Sequence, residues 1–572
     1  MLAALASCVS HLQHHPLRAT YDSGMRITAA GRAASLLVLL SVLGGCISLN
    51  PSPIPSPTGH TTSAGETEPG ATPSAEPSPS ATTSEPTPSL PAEFPLAVVT
   101  GMTNLQSTID LDELAALASQ DRLVMPCGVT VKAPATPSGA SCRPADRIAR
   151  YLAAHQDRIA LLPTGLVEPA TKVLSIAGDG PFGLFGADLF GDRKSRAMDY
   201  PVIGSAGTDG ADALDPAWFA YDPSKIWTLT SIGSLCSSPI VAEQAVILGK
   251  GWGWAFNGGT ARYTSAAQVD PPDAGPYYPI TSVETGDDGA TPSVLKRSDL
   301  AIADHECPIE ADATWAANYS GSLVFSVPEA VVVQWKRKLG LDAVYLAANH
   351  MSDRGVAGIE STLRILDSHH LPRTGLGMNL HDALQPAFLD VAGLKVALVA
   401  WNDVSGVARA EPDSPGVPWI TRRNVFRSVN LAREGGADLV LCDPQWWGGA
   451  EYHDDLWPVQ AEQLRWFDAA GCDHVIGSGT HVAGPLLVRN RQDEPSLVLA
   501  SPGNYMFGQN WWQEASEGVI LDMTFNGKTL ANVRLRPYVM HLNARASLTD
   551  PEGDGHYVLQ RIFSYSTFDP PR

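Results

Sequence analysis

From about residue 93 onward, apolar residues come in short runs broken by polar loops. Phe94–Val99, Ile226–Ile232, Asp299–Ala303, Ala343–Leu346, Lys395–Trp401, Asp438–Cys442, Asp473–Ile476 and Leu497–Ala500 are strand-length and read as buried strands. Between them the spacing changes to that of helices. Ile359, Leu363 and Leu366 fall on one face and predict a helix over Val356–Ser368. Asp110 is placed to cap a helix that begins at Leu111, and another helix is predicted over Ala145–His155. Strands alternating with helices predict an α/β fold, in which ligands collect at the carboxyl ends of the strands. Asn349 and His350 stand at such an end, after Ala343–Leu346, with Asp353 close behind. An amide carbonyl and an imidazole suit a divalent metal, and a carboxylate is suited to orient the ring. A strand-end Asn and His that merely cap the next helix are an equally good account of these residues alone.

The amino-terminal stretch has a different pattern. Arg26 and Arg32 precede an apolar core over Ala33–Val42, and Leu43-Gly44-Gly45-Cys46 reads as a lipobox, with Cys46 the acylated residue. The apolar run is short for a spanning helix and ends in small residues, as processed leaders do. Met25 is a plausible true start. Residues 47–92 are mostly Pro, Ser, Thr, Ala, Gly and Glu and predict an extended tether. Together these segments imply attachment to the outer face of a bacterial membrane through Cys46.

Sixty acidic against 39 basic residues leave a formal charge of −21, with no basic cluster, which argues against a nucleic-acid partner. Eight cysteines are present and no CxxC pair, so a zinc ribbon is not expected. Setting aside Cys8 and Cys46, an even six remain, which outside the cytoplasm suggests disulfides. Cys127 with Cys142 closes a short loop. Cys236 and Cys307 both follow predicted strand ends, and Cys442 lies on a strand with Cys472 just before another. These are the three expected pairs.

The stretch Gly340-Leu341-Asp342-Ala343-Val344, Leu346-Ala347-Ala348-Asn349-His350, Asp353 and Gly355, followed by Gly375-Leu376-Gly377-Met378-Asn379 and Ala383, resembles the CapA-type poly-γ-glutamate capsule synthesis proteins. That resemblance implies a four-layer α/β/β/α sandwich like the calcineurin-type metallophosphoesterases, over about residues 225–558, with a tail over 559–572. Ahead of it, Pro95-Leu96-Ala97-Val98-Val99, Leu111-Asp112-Glu113-Leu114 and Ala160-Leu161-Leu162-Pro163 are similar to one lobe of a periplasmic binding protein, a smaller α/β domain over 93–222. A folded spacer is the plainer alternative.

The family's metal-ligand motifs can be followed residue by residue. Its first aspartate is Ser234 here, a poor ligand; Gly286-Asp287 is a rival position that reads as a loop. The "N-L-E-x-P-I" motif becomes Asp304-His305-Glu306-Cys307-Pro308-Ile309, with His305 expected to be structural. "H-W-G-x-E-Y" is matched by Trp447, Gly448, Glu451 and Tyr452, with Gln445 or Trp446 in place of the histidine and Asp443 or His453 as conceivable substitutes. "G-x-H-x-H" retains only its second histidine, His481, Gly479 standing for the first. Asn504 lies in the matched "S-L-G-N-F" segment and is expected to hold a turn near the site.

The resemblance thus implies a divalent cation (Mn, Fe or Zn) on Asp304, Glu306, Asn349, His350 and His481, with His350, Asp353 and His481 as catalytic groups if hydrolysis occurs. Ser234, Gln445, Trp447, Gly448, Glu451 and Asn504 would be supporting loop residues. It further implies work on an anionic surface polymer or with its synthesis and export machinery. The competing expectation is a non-catalytic polymer-binding or scaffold subunit that keeps the fold with a degraded metal site.

Overall fold

The structure is a computed structural model that describes residues 90–569, except 134–139, 208–213, 238, 267–279, 314–323, 447–451, 492–493 and 510–513. The expected leader, Cys46, nearly all of the tether, and Trp447, Gly448 and Glu451 lie outside the described residues. Residues 86–572 cluster as one unit.

The first strand, β1 (Phe94–Gly101), is followed by α1 (Leu111–Ser119), whose N-cap Asp110 accepts a hydrogen bond from the Glu113 N–H. β2 (Leu123–Pro126) and β3 (Ile159–Pro163) follow, running parallel to each other, while β3 is antiparallel to β1. They belong to a seven-stranded sheet with its own apolar core around Leu96, Val98 and Leu161. The run Val173–Ile176 is two strands: Thr171–Val173 pairs with β1, whereas Ser175–Ile176 pairs with Thr108–Ile109.

A ten-stranded mixed sheet is centred on β4 (Ile226–Leu235). After β4 come α2 (Ala290–Arg297), β5 (Leu300–His305), β6 (Ala343–Tyr345) and α3 (Gly355–Ser368). β4, β5 and β6 are parallel neighbours. Gly286 closes an edge strand of this sheet and Asp287 turns away with φ +55°, so the rival Gly-Asp position is strand end and turn. A second, seven-stranded sheet contains β7 (Leu394–Asn402), then α4 (Arg422–Glu434), β8 (Leu439–Gln445), α5 (Pro458–Ala470), β9 (His474–Ile476) and β10 (Glu494–Leu499), the four strands in parallel order. β11 (Asn504–Met506) returns to pair with β4, and β12 (Glu517–Asn526) and β13 (Thr529–His541) extend the first sheet.

Strand side chains alternate between faces, and the burial follows that period. On β5, Leu300 and Ile302 join Leu398 of β7 and Leu441 of β8 in one core between the two sheets. Ala301 and Ala303 face α2 and α3 with Val294 and Ile359. On the second sheet, Val399, Trp401, Val440 and Cys442 pack outward against Val425 and Val429 of α4 and Phe467 of α5.

Cys127–Cys142, Cys236–Cys307 and Cys442–Cys472 are disulfide-bonded, in the pairing expected from the chain. Cys236–Cys307 closes a separation of 71 residues against 15 for Cys127–Cys142. Replacing the longer-loop pair by serines should cost about 4 kcal/mol, and the shorter about 3 kcal/mol, in urea unfolding followed by far-UV circular dichroism.

His474 on β9 is fully buried, its Nδ1 accepts the Leu497 N–H at 3.1 Å, and burial, reinforced by Arg491 and Arg489, pushes its pKa down to about 3. The unfolded chain binds this proton from about pH 6.5 and the folded chain only near pH 3. The His474 contribution is therefore complete above pH 6.5 and lost progressively between 6.5 and 3, on the order of 3–5 kcal/mol. Stability measured across that window should flatten in His474→Asn relative to the parent; an unchanged slope would remove His474 from the account.

Candidate functional site

The carboxyl ends of β4, β5, β6 and β8 meet between the two sheets. Odd-numbered positions on β8 face the other sheet, so Leu439 and Leu441 are followed inward by Asp443 and Gln445, and Trp446 falls on the helix side against Phe467. Of the two residues named for the histidine position of the resembled motif, Gln445 is the one on the inner face. On β5 the even-numbered face carries Asp304 inward. His305 turns to the other side, hydrogen-bonded to the Leu235 carbonyl at 2.6 Å and edge-on to Trp335. β4 does not stop at Ile232 but continues to Leu235 through an irregularity in its pairing, which brings Ser234 inward. Gly233 makes this passage possible: a Cβ there would lie 1.7 Å from the Gly503 carbonyl oxygen.

Asp304, Glu306 and Asp443 are buried. Burial and the Glu306 charge push the Asp304 carboxyl up to about 8, and burial with Asp304 pushes Asp443 well above the ordinary carboxylate range. A neutral donor meets each carboxyl. Ser234 Oγ donates to Asp304 Oδ2 at 2.8 Å, and Ser478 Oγ to Asp443 Oδ1 at 3.3 Å. Gln445 Nε2 donates to Glu306 Oε1 at 3.3 Å and to Asn349 Oδ1 at 3.0 Å, while Gln445 Oε1 accepts the Asn349 N–H at 2.7 Å. Asn349 is thus held by both ends of one amide. Glu306 Oε2 is buried without a hydrogen-bond partner, and so is the Tyr345 hydroxyl, whose phenol is raised by burial and by both aspartates.

The two histidines are set apart by aromatic rings. His350 Nδ1 hydrogen-bonds Asp353 Oδ2 at 2.8 Å, and the same oxygen accepts the Phe325 N–H at 2.8 Å. His481 Nδ1 hydrogen-bonds Asn504 Oδ1 at 2.9 Å, and its Nε2 lies 3.9 Å from Glu306 Oε1. Phe507 lies against both imidazoles, at centroid distances of 6.4 Å and 5.0 Å, and Tyr452 stacks on His481. His481 has φ +62°, an uncommon backbone for a residue with a side chain and of a kind that clusters at functional sites. Asn504 begins β11; its amide donates to Gln509 Oε1 and to the Ala515 carbonyl, and Gln509 in turn to the Tyr452 hydroxyl. His453 is half exposed beside Asp455 and Asp443 occupies the interior, so of the two conceivable substitutes only the aspartate stands in this cluster.

This donor set does not fit a two-metal centre. Among the described residues no three His, Cys, Asp or Glu side chains are placed to hold a metal ion. The Gln445 amide sits between Glu306 and Asn349, where two ligand oxygens would need a shared cation. The replaced positions are also coupled sterically. A Cβ on Gly479 would lie 2.7 Å from the Trp446 carbonyl oxygen and 2.8 Å from Gln445 Cγ, so a histidine at 479 and the present Gln445 conformer exclude each other.

Residues 285–509, which hold all of these side chains except Ser234, match the family described as bacterial capsule synthesis protein PGA_cap. Over this stretch the chain is similar to the CapA-type capsule synthesis proteins. The capsule biosynthesis protein CapA of Bacillus anthracis is 25% identical over 245 residues, 42% of this chain and 58% of that protein. The PGA biosynthesis protein CapA of Bacillus subtilis (strain 168) is 26% identical over 231 residues, 40% and 58% respectively. The match therefore spans less than two thirds of these CapA proteins. Among solved structures, the NAD nucleotidase of Haemophilus influenzae is similar at a TM-score of 0.33 and 13% identity, covering 61% of this chain and 57% of that one. The calcineurin-like phosphoesterase YfkN of Bacillus subtilis is similar at 0.29 and 10%, covering 59% and 98%. Sequence reasoning passed over Tyr345, Phe507 and Ser478; strand parity, which places 345 beside 343 on the inner face, was the available signal for the first.

Removing the Gln445 amide leaves Glu306 Oε1 and both Asn349 groups without their partner. Gln445→Ala should lower stability by about 1–3 kcal/mol in urea titration. A midpoint within error of the parent would show that the amide is dispensable.

Proposed function

We propose that this chain serves the synthesis, export or attachment of an anionic surface polymer, poly-γ-glutamate or a chemical relative, as a polymer-binding or scaffolding subunit. In this reading it is a lipoprotein held by acylated Cys46 on the outer face of the cell membrane, with a tether over 47–92, a binding-protein-like lobe over 93–222 and a CapA-like domain over 225–558. That domain is read as a four-layer α/β/β/α sandwich of the metallophosphoesterase type. Among the described residues, no helix is long and apolar enough to cross a membrane.

The observation that carries the non-catalytic reading is the Gln445 bridge. A neutral amide satisfies Glu306 and Asn349 together, Ser234 supplies a hydroxyl in place of a carboxylate, and Gly479 stands where the resembled motif has a further imidazole beside His481. Fold and chemistry separate in this way when a site loses its ligands and the frame persists. One observation favours a second reading, a metal-dependent phosphoester hydrolase. Glu306 Oε2 is buried without a hydrogen-bond partner, and Oε1 of the same carboxylate lies 3.9 Å from His481 Nε2, which places an oxygen and a nitrogen ligand type together as in a single-cation site for Mn, Fe or Zn.

Metal content separates the two. Plasma mass spectrometry of the purified protein should show only background Mn, Fe and Zn, equal in the parent and in His481→Ala. Near-stoichiometric metal that disappears in the variant would overturn the scaffold reading and establish the remnant site.

A further inference from the structure

β4 has two ends. Its carboxyl end carries Ser234 and the buried carboxylates. Its amino end, nine residues back at Lys225, lies about 30 Å away at strand rise. There β4 pairs with the end of β12, Ile226 opposite Asn526, and the turn into β13 begins.

A cleft of about 890 Å³ opens at this amino end, between that turn and segments following β3. The volume is in the range of small-ligand sites. Its walls come from separate parts of the chain, among them Asp146, Glu168, Trp218, Lys225, Asn526 and Thr529. Trp218 is half-buried and lines the cleft. Thr529 Oγ1 is anchored to Glu494 Oε2 at 3.2 Å. The Glu168 carboxyl has no hydrogen-bond or ion-pair partner among the described residues, and burial raises it to about 7. A desolvated carboxyl left unpaired is costly unless something supplies its hydrogen bonds.

The lining limits what fits. Two acids against one base disfavour phosphates and polycarboxylates. Amide, hydroxyl and carboxyl groups spread along the walls disfavour an acyl chain, which would leave them unsatisfied. What remains is a neutral molecule with an apolar face for the indole and an edge of hydroxyls for Glu168, Asn526 and Thr529. We propose that this cleft is a saccharide-binding site, taking a short neutral glycan whose ring stacks on Trp218 and whose hydroxyls donate to Glu168. The site is separate from the carboxylate cluster and does not depend on the capsule reading.

The test is isothermal titration of the full-length chain with maltotriose and, separately, with chitotriose as probes. At least one should bind saturably. Trp218→Ala and Glu168→Gln should each weaken that binding about tenfold or more, the loss of one stacking or hydrogen-bonding contact, whereas Arg427→Ala on the exposed face of α4 should leave it unchanged. Trp218→Phe, which keeps a ring, should fall between the parent and Trp218→Ala. No saturable heat with either probe overturns the proposal, as does an affinity the same in parent, Trp218→Ala and Glu168→Gln.

Discussion

Three carboxyl groups buried at neighbouring strand ends are the constraint on which the centre of this molecule depends. Asp304, Glu306 and Asp443 cannot all ionise in a dry interior without compensation, because desolvation and mutual repulsion both oppose it. A protein can meet that cost with cations, with protons, or with neutral hydrogen-bond donors. This chain uses the last two: raised aspartate pKa values, and hydroxyl and amide donors from Ser234, Ser478 and Gln445. The replacements are therefore one coordinated change rather than scattered losses. Putting an aspartate back at 234 alone would add a fourth buried acid against Asp304, and a histidine at 479 would collide with Gln445.

The frame around these groups is stiff. Cys236 lies two residues beyond Ser234, Cys307 is adjacent to Glu306, and Cys442 precedes Asp443. Two of the three disulfides thus pin the strand ends from which the buried acids project. Gly233 and Gly503 let β4 and β11 approach closely enough to carry Ser234 and Asn504 to the same place. Asn504 then fixes His481, which its own backbone holds in a left-handed conformation. Such restraint orders side chains whether or not a reaction follows, so rigidity here does not discriminate between a catalyst and a binding subunit.

The strands and the helix α3 were legible in the chain because their apolar runs are long enough to show a period, and the cysteines were legible because their positions relative to strand ends leave few pairings within reach. Less was legible at the site. Gln445 and Trp446 differ by one residue and hence by one face, and only the phase of β8, fixed by Leu439 and Leu441 facing the opposite sheet, assigns the glutamine inward. Ser234 depended on the irregular pairing after Ile232, which no apolar period announces. Phe507 is brought to His350 by tertiary packing across more than a hundred residues of chain. A motif comparison matches residues to positions. It does not say which oxygen already has a partner, and that is what decides whether a set of ligands can receive a cation.

The same strand order separates two kinds of chemistry. At the carboxyl end of β4 polar groups are buried and paired with one another, so a guest there must displace existing hydrogen bonds. At the amino end the cleft is open, and Glu168 has no partner among the described residues to give up. Displacing a satisfied bond returns little net free energy, whereas supplying a missing one recovers the desolvation already incurred on folding. On that asymmetry, the proposed neutral-ligand site lies at the amino end of β4, away from the buried acids between the sheets.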